Sequence, residues 1–155
     1  MKVFISHKKE DDLIAKQIYL SLKSMDVESY LDLLEGDLLV NGKRLTEHIK
    51  KRLSECSDLL VVLSEKTQYS WWVPFEIGMA TQQDYPIVNY LKTGITLPEY
   101  LTYWPRLKTI EDLTKYVAAN KKAAIEVQLE SINKTMHASK ETRTDKFYRI
   151  LKQSL

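Results

Sequence analysis

The chain has 155 residues, 44% hydrophobic and 28% charged, with only 4 Gly and 4 Pro, which excludes collagen-like, low-complexity and wholly disordered classes and fits one compact domain. Its formal charge of +2, from 23 basic and 21 acidic residues, supplies no field of the kind a dedicated nucleic-acid binder needs. The single cysteine, Cys56, closes no intramolecular disulfide, Met1 to Ile5 turns polar too soon for a secretory signal, and the longest apolar run, Leu59 to Leu63, is strand-sized rather than membrane-spanning, so a reducing cytoplasmic location with no membrane segment is expected.

Val3-Phe4-Ile5 reads as a short buried strand. After the polar stretch Ser6 to Asp12, the residues Ile14, Ala15, Ile18, Tyr19 and Leu22 recur at helical spacing. Ser29-Tyr30-Leu31 is a second, shorter strand, and Asp32 to Gly42, with two of the four glycines, suits a long loop. Leu45, Ile49, Leu53 and Cys56 then line a second helix. Leu59 to Leu63 has no alternation of apolar and polar residues, which is the pattern of a central parallel strand covered by helices on both faces.

Ser70 to Thr81 is expected to be helical, starting between Ser70 and Pro74, because proline fits a first turn and disfavours helical geometry at Val73. Ile87 to Tyr90 is the next strand, Tyr100 to Trp104 fits either a short helix or irregular chain, and Leu107 to Ile110 is an expected edge strand. Glu111 to about Ile132 is rich in helix formers. The polar stretch around Ser139 interrupts it, and a last helix runs from Asp145 to Leu155, with Thr142 and Asp145 as a capping box. Its Phe147, Ile150 and Leu151 need an apolar partner, whereas Lys134, Lys140, Arg143, Lys146, Arg149 and Lys152 suit an exposed face. Strands alternating with helices imply right-handed crossovers, an α/β class and an open parallel sheet in the flavodoxin-like order with extra C-terminal helices.

In such a sheet, ligands collect beyond the carboxyl ends of the strands, which directs attention to Ser6, His7, Asp32, Ser64 and Asn89. No glycine-rich dinucleotide fingerprint, phosphate loop or nucleophile elbow is present, and no carboxylate pair ends the first strand as a phosphoreceiver requires. His7, His48 and His137 are far apart and pair with no cysteine or carboxylate at metal-ligand spacing, so neither a metal nor a resident cofactor is expected. Cys56, at the end of an apolar stripe, reads as core.

Four strings remain: Val3-Phe4-Ile5-Ser6-His7, Tyr30-Leu31-Asp32, Ser57-Asp58-Leu59-Leu60-Val61-Val62-Leu63-Ser64, and Ser70-Trp71-Trp72-Val73-Pro74-Phe75-Glu76. In this order and spacing the sequence resembles a Toll/interleukin-1 receptor (TIR) domain, closely to Tyr90 and loosely to Val117. The resemblance implies a TIR domain over residues 1–117 and a helical extension over 118–155, packed on the same domain or at a subunit interface. The Trp72-x-x-x-Glu76 spacing is similar to that of TIR domains that consume NAD, whose matching glutamate is catalytic.

The resemblance further implies Trp71 or Trp72 as an aromatic wall, Ser6 and His7 as polar substrate contacts, and Asp32 as an anchor for a covering loop, Asp32 to Gly42, that also mediates self-association. If Pro74 opens the helix, Glu76 lies in its first turn, where the helix dipole favours a charged carboxylate. Each residue also has a purely structural reading: a Trp pair entering a helix suits a core, an acid suits a helix start, and Ser6 and His7 suit a helix cap.

The layout is similar to free-standing bacterial TIR proteins of antiphage systems such as Thoeris, which implies an NAD-derived messenger, ADP-ribose or a cyclised form, read by a separate effector. A TIR module that docks on other TIR domains without turnover is the alternative. A nucleoside ribosyl-transfer enzyme of related architecture is a third reading, for which no base-binding motif is present.

Overall fold

The computed structural model describes residues 1–31, 41–67, 70–91, 94–96, 99–133 and 141–155. Strands β1 (Lys2–Ser6), β2 (Glu28–Leu31), β3 (Asp58–Leu63), β4 (Ile87–Leu91) and β5 (Arg106–Leu107) form one sheet in the order β2-β1-β3-β4-β5, with every neighbouring pair parallel. The helices are α1 (Asp12–Ser24), α2 (Gly42–Ser54), α3 (Trp72–Gln82), α4 (Asp112–Asn133) and α5 (Arg143–Ser154). This is the expected α/β architecture in the flavodoxin-like order, with helices on both faces and further helices at the C-terminus. The aromatic segment before β5 is a single 3-10 stretch, Glu99–Tyr103.

Alternation along the strands divides the core in two. Val3, Ile5, Leu60, Val62 and Val88 face one way and pack with Ala15, Ile18 and Leu22 of α1, Tyr116 and Val117 of α4, and Phe147 and Leu151 of α5. Phe4, Leu59, Val61, Leu63 and Ile87 face the other way, against Leu53 of α2 and Val73, Ile77 and Ala80 of α3. β3 is buried along its whole length, as its unalternated sequence requires.

Several boundaries differ from expectation for local reasons. Gly42 is the first residue of α2 rather than the end of a loop, because the Asn41 side chain accepts a hydrogen bond from the Arg44 N–H at 3.1 Å and caps the helix there. β5 stops at Leu107, short of the expected Ile110: the N–H groups of Lys108 and Thr109 donate to the Asp112 carboxylate at 2.9 and 3.1 Å, which turns the chain into α4 instead of extending the strand. Asn89 is not at a strand end. It sits mid-β4, level with Val61 and Arg106, fully buried; its Nδ2 donates to the Leu101 carbonyl at 2.8 Å and so anchors the 3-10 stretch, while its Oδ1 is buried without a hydrogen-bond partner among the described residues.

The Thr142–Asp145 capping box opens α5 as expected, two residues before the expected start. Phe147, Ile150 and Leu151 are buried in the same cluster as the β1 and β3 side chains. Lys146 departs from the exposed basic face: its side chain is 1% exposed, with Nζ 3.0 Å from Glu130 and 3.6 Å from Glu141. It flanks the apolar face one helical turn before Ile150, so packing α5 on the domain covers its stem while two surface carboxylates meet its charge. Lys134, Ser139 and Lys140 lie outside the described residues. Among the described residues no helix is long and apolar enough to cross a membrane.

Candidate active site

The carboxyl ends of β1 and β3 carry the polar residues of interest, and alternation decides which of them meet. Ser6 follows Phe4 on the α2/α3 side of the sheet, whereas His7 continues the Val3–Ile5 side, toward α1. Ser6 is 1% exposed, and its hydroxyl donates to Oε2 of Glu76, itself 4% exposed. On the other face, His7 Nε2 lies 2.9 Å from Asp12 Oδ1. The structure therefore brings Ser6 to Glu76 and turns His7 away from it.

Glu76 is presented by α3. Val73, Ile77 and Ala80 form the buried stripe of this helix, with Glu76 on its flank at the same depth. Pro74 sits in the first turn, where a missing N–H costs nothing, and the Ser70 hydroxyl accepts from the Val73 N–H at 3.3 Å. The helix begins at Trp72, ahead of Pro74, and no acid lies in its first turn. Glu76 is one turn further in, so the expected stabilisation by the helix end, which fades within that turn, does not reach it at full strength. One partner that the structure supplies is the Ser6 hydroxyl.

The two tryptophans separate. Trp71 is 89% exposed, whereas Trp72 is half-buried and meets Phe75 edge-on, with ring centroids 6.0 Å apart. Trp72 and Glu76 are four residues apart and share one side of α3. Asp32 and residues 33–40 of the expected covering loop lie outside the described residues.

Sequence reasoning passed over a second polar joint at the same end of the sheet. Asp11, 6% exposed, accepts from the Ser64 hydroxyl at 2.6 Å and the Thr67 hydroxyl at 3.2 Å. This ties the β1–α1 connection to the β3–α3 connection. The readable signal was Ser64 following Val62 onto the α1 side of β3, where the acids after β1 lie.

Beside the start of α3, a cleft of about 310 Å³ opens between Ser64, Thr67, Val73 and Pro74 on one wall and Ile95 and Leu101 on the other. Neither Ser6 nor Glu76 is among its described walls, so the cleft adjoins the Ser6–Glu76 pair rather than containing it. Cys56 is buried, and desolvation pushes its thiol up to about 11, which makes it an inert core residue. Among the described residues no group of His, Cys, Asp and Glu is arranged to hold a metal ion.

Chemically, the arrangement is a buried carboxylate, Glu76, that accepts from the Ser6 hydroxyl at the crevice end of a parallel sheet, with Trp72 one turn before it on the same helix. Such a group can stabilise developing positive charge in a site screened from water.

The family model of the TIR domain matches residues 3–128. No curated protein matches the sequence. Among solved structures, that of the CMP N-glycosidase BcmB from Clostridium botulinum is similar in fold, at 13% identity and a TM-score of 0.52, with 72% of this chain and 93% of that chain covered. With most of its length matched, and its five parallel strands in the order β2-β1-β3-β4-β5, the chain belongs to the TIR domain family.

Proposed function

We propose that this chain cleaves the N-glycosidic bond of a nucleotide, that the nucleotide is NAD, and that Glu76 is the catalytic carboxylate. The observation that carries the reading is the burial of Glu76 against Ser6 at the carboxyl end of the sheet. In NAD the ribose carbon is bonded to a cationic pyridinium, so nicotinamide leaves neutral and takes no proton. One carboxylate then suffices, whereas O-glycosidases generally pair an acid with a second carboxylate because their leaving group needs protonation. Glu76 stabilises the oxocarbenium-like ribose as the carbon–nitrogen bond breaks. Water adding to that carbon gives ADP-ribose and a proton, while attack by an adenine nitrogen of the same molecule gives a cyclic product.

The Clostridium botulinum protein is named as a CMP N-glycosidase, an enzyme for the same class of bond, sugar carbon to base nitrogen, in another nucleotide. The choice of NAD rests on the Trp72-x-x-x-Glu76 spacing and its likeness to NAD-consuming TIR domains. On this reading the chain works in the cytoplasm, assembles through the Asp32 to Gly42 loop, and makes a diffusible nucleotide for a separate effector in antiphage defence. A second reading, a TIR module that docks on other TIR domains without turnover, is favoured by one observation: an indole as exposed as Trp71 beside the site suits a contact surface.

Incubation of purified protein with NAD across a range of protein concentrations, with chromatography of all products, separates the two. Nicotinamide release that rises faster than protein concentration supports the assembling enzyme. Intact NAD at every concentration supports the docking module.

A further inference from the structure

We infer that Ser6 is a positioning residue: it acts on the reaction by fixing the carboxylate of Glu76 and makes no contact with substrate. The inference rests on the reading of Glu76 as the catalytic group. Ser6 is the last residue of β1, a strand flanked by β2 and β3, and is level with Val61 of the buried central strand. Its Cβ is therefore fixed to the hydrogen-bonded interior of the sheet, while Glu76 stands on α3 in another layer and reaches its place through a three-torsion side chain. The Ser6–Glu76 hydrogen bond is a direct side-chain link between the sheet and the reacting group.

The hydroxyl has one proton to donate, and it goes to Oε2 of Glu76. Of the pair, Ser6 lies deeper, at 1% exposure against 4% for Glu76. A donor to one carboxylate oxygen restrains how the group turns, and with it the direction in which the carboxylate faces a substrate. A misplacement of about 1 Å at a catalytic group costs on the order of 100-fold in rate, which is the scale expected for loss of this hydroxyl. Alternation explains why a polar residue is tolerated here: Ser6 occupies the core-facing position after Phe4, where an unpaired hydroxyl would be costly, and Glu76 satisfies it.

The test compares Ser6→Ala, Ser6→Thr and Glu76→Gln with the wild type in NAD cleavage, each below its own melting temperature. Ser6→Ala is expected to lower kcat on the order of 100-fold with KM unchanged, and Ser6→Thr, which keeps the hydroxyl, to recover most of the loss. Wild-type kcat in Ser6→Ala, a raised KM at unchanged kcat, or equal losses in Ala and Thr variants of intact stability would each overturn the inference.

Glu76→Gln keeps the two claims apart. If it turns over NAD like the wild type, the reading of Glu76 fails. If it is inactive while Ser6→Ala is fully active, only the positioning role fails. The pair is also tested without substrate, by a double-mutant cycle of Ser6→Ala and Glu76→Ala in thermal unfolding. Non-additive changes support the link, and strict additivity contradicts it.

Discussion

Ser6 and His7, consecutive at the end of β1, point to opposite sides of the sheet: Ser6 donates to Glu76 on the α3 side, and His7 meets Asp12 of α1 at 2.9 Å on the other. Only one of two adjacent residues can serve a site on a given face. His7→Ala is therefore expected to lower stability by about 1–3 kcal/mol, through loss of a hydrogen bond to a carboxylate that is only partly exposed. Its kcat in the folded protein should stay close to that of the wild type. Melting curves and steady-state kinetics check this together, and a large fall in kcat at unchanged melting temperature would place His7 in the reaction.

Much of this fold is legible in the sequence because a parallel sheet leaves a strong trace: the unbroken run Leu59 to Leu63 can only be satisfied by cover on both faces. The partnership of Ser6 with Glu76 was also within reach, since it follows from counting two residues on from Phe4. What the sequence hides is polar pairing that follows no hydrophobic period. Asp112 captures the N–H groups that were expected to extend β5. Lys146 is covered when α5 packs on the domain, with Glu130 and Glu141 meeting its charge, although its own neighbourhood reads as a basic surface. Neither event has a periodic signature: one is a local carboxylate capturing N–H groups just before it, and the other depends on how α5 packs.

Asp58 supplies a pH-dependent prediction remote from the proposed chemistry. It lies fully buried at the amino end of β3 and accepts from the Ser57 hydroxyl at 2.5 Å and from Asn120 Nδ2, and Asn120 in turn accepts from Arg143. Burial raises its pKa, opposed by the Ser57 hydrogen bond, the Arg143 charge and the Asn120 hydrogen bond. The folded state therefore holds the Asp58 proton more tightly than the unfolded chain. The stability this contributes is fully present below the ordinary aspartate value of about 3.9 and is lost as pH rises through the folded value. Asp58→Asn, which carries no charge at any pH, should gain in melting temperature relative to the wild type as pH rises from about 4 to about 7. A difference that shrinks or reverses over that range would contradict the burial argument.

Lys146 separates packing from charge in the attachment of α5. Its side chain is 1% exposed, but Glu130 and Glu141 keep 38% and 41% of theirs in solvent. Either glutamate can rehydrate if the ammonium is removed, so what Lys146 contributes is mainly its buried stem. Lys146→Met is expected to unfold close to the wild-type temperature, whereas Lys146→Ala should lose about 2–5 kcal/mol through the cavity it leaves. Equal losses in both, measured by chemical denaturation, would assign the stabilisation to the ion pairs instead.

The central claim is that the carboxylate of Glu76 cleaves NAD, and the most direct measurement is the rate of nicotinamide release by Glu76→Gln beside the wild type. The amide keeps the shape of the side chain and can still accept from the Ser6 hydroxyl, but it has no charge to set against an oxocarbenium ion. The account predicts a folded variant with a melting temperature near that of the wild type and a rate lower by about 100- to 1000-fold. Nicotinamide release by Glu76→Gln at the wild-type rate would contradict it.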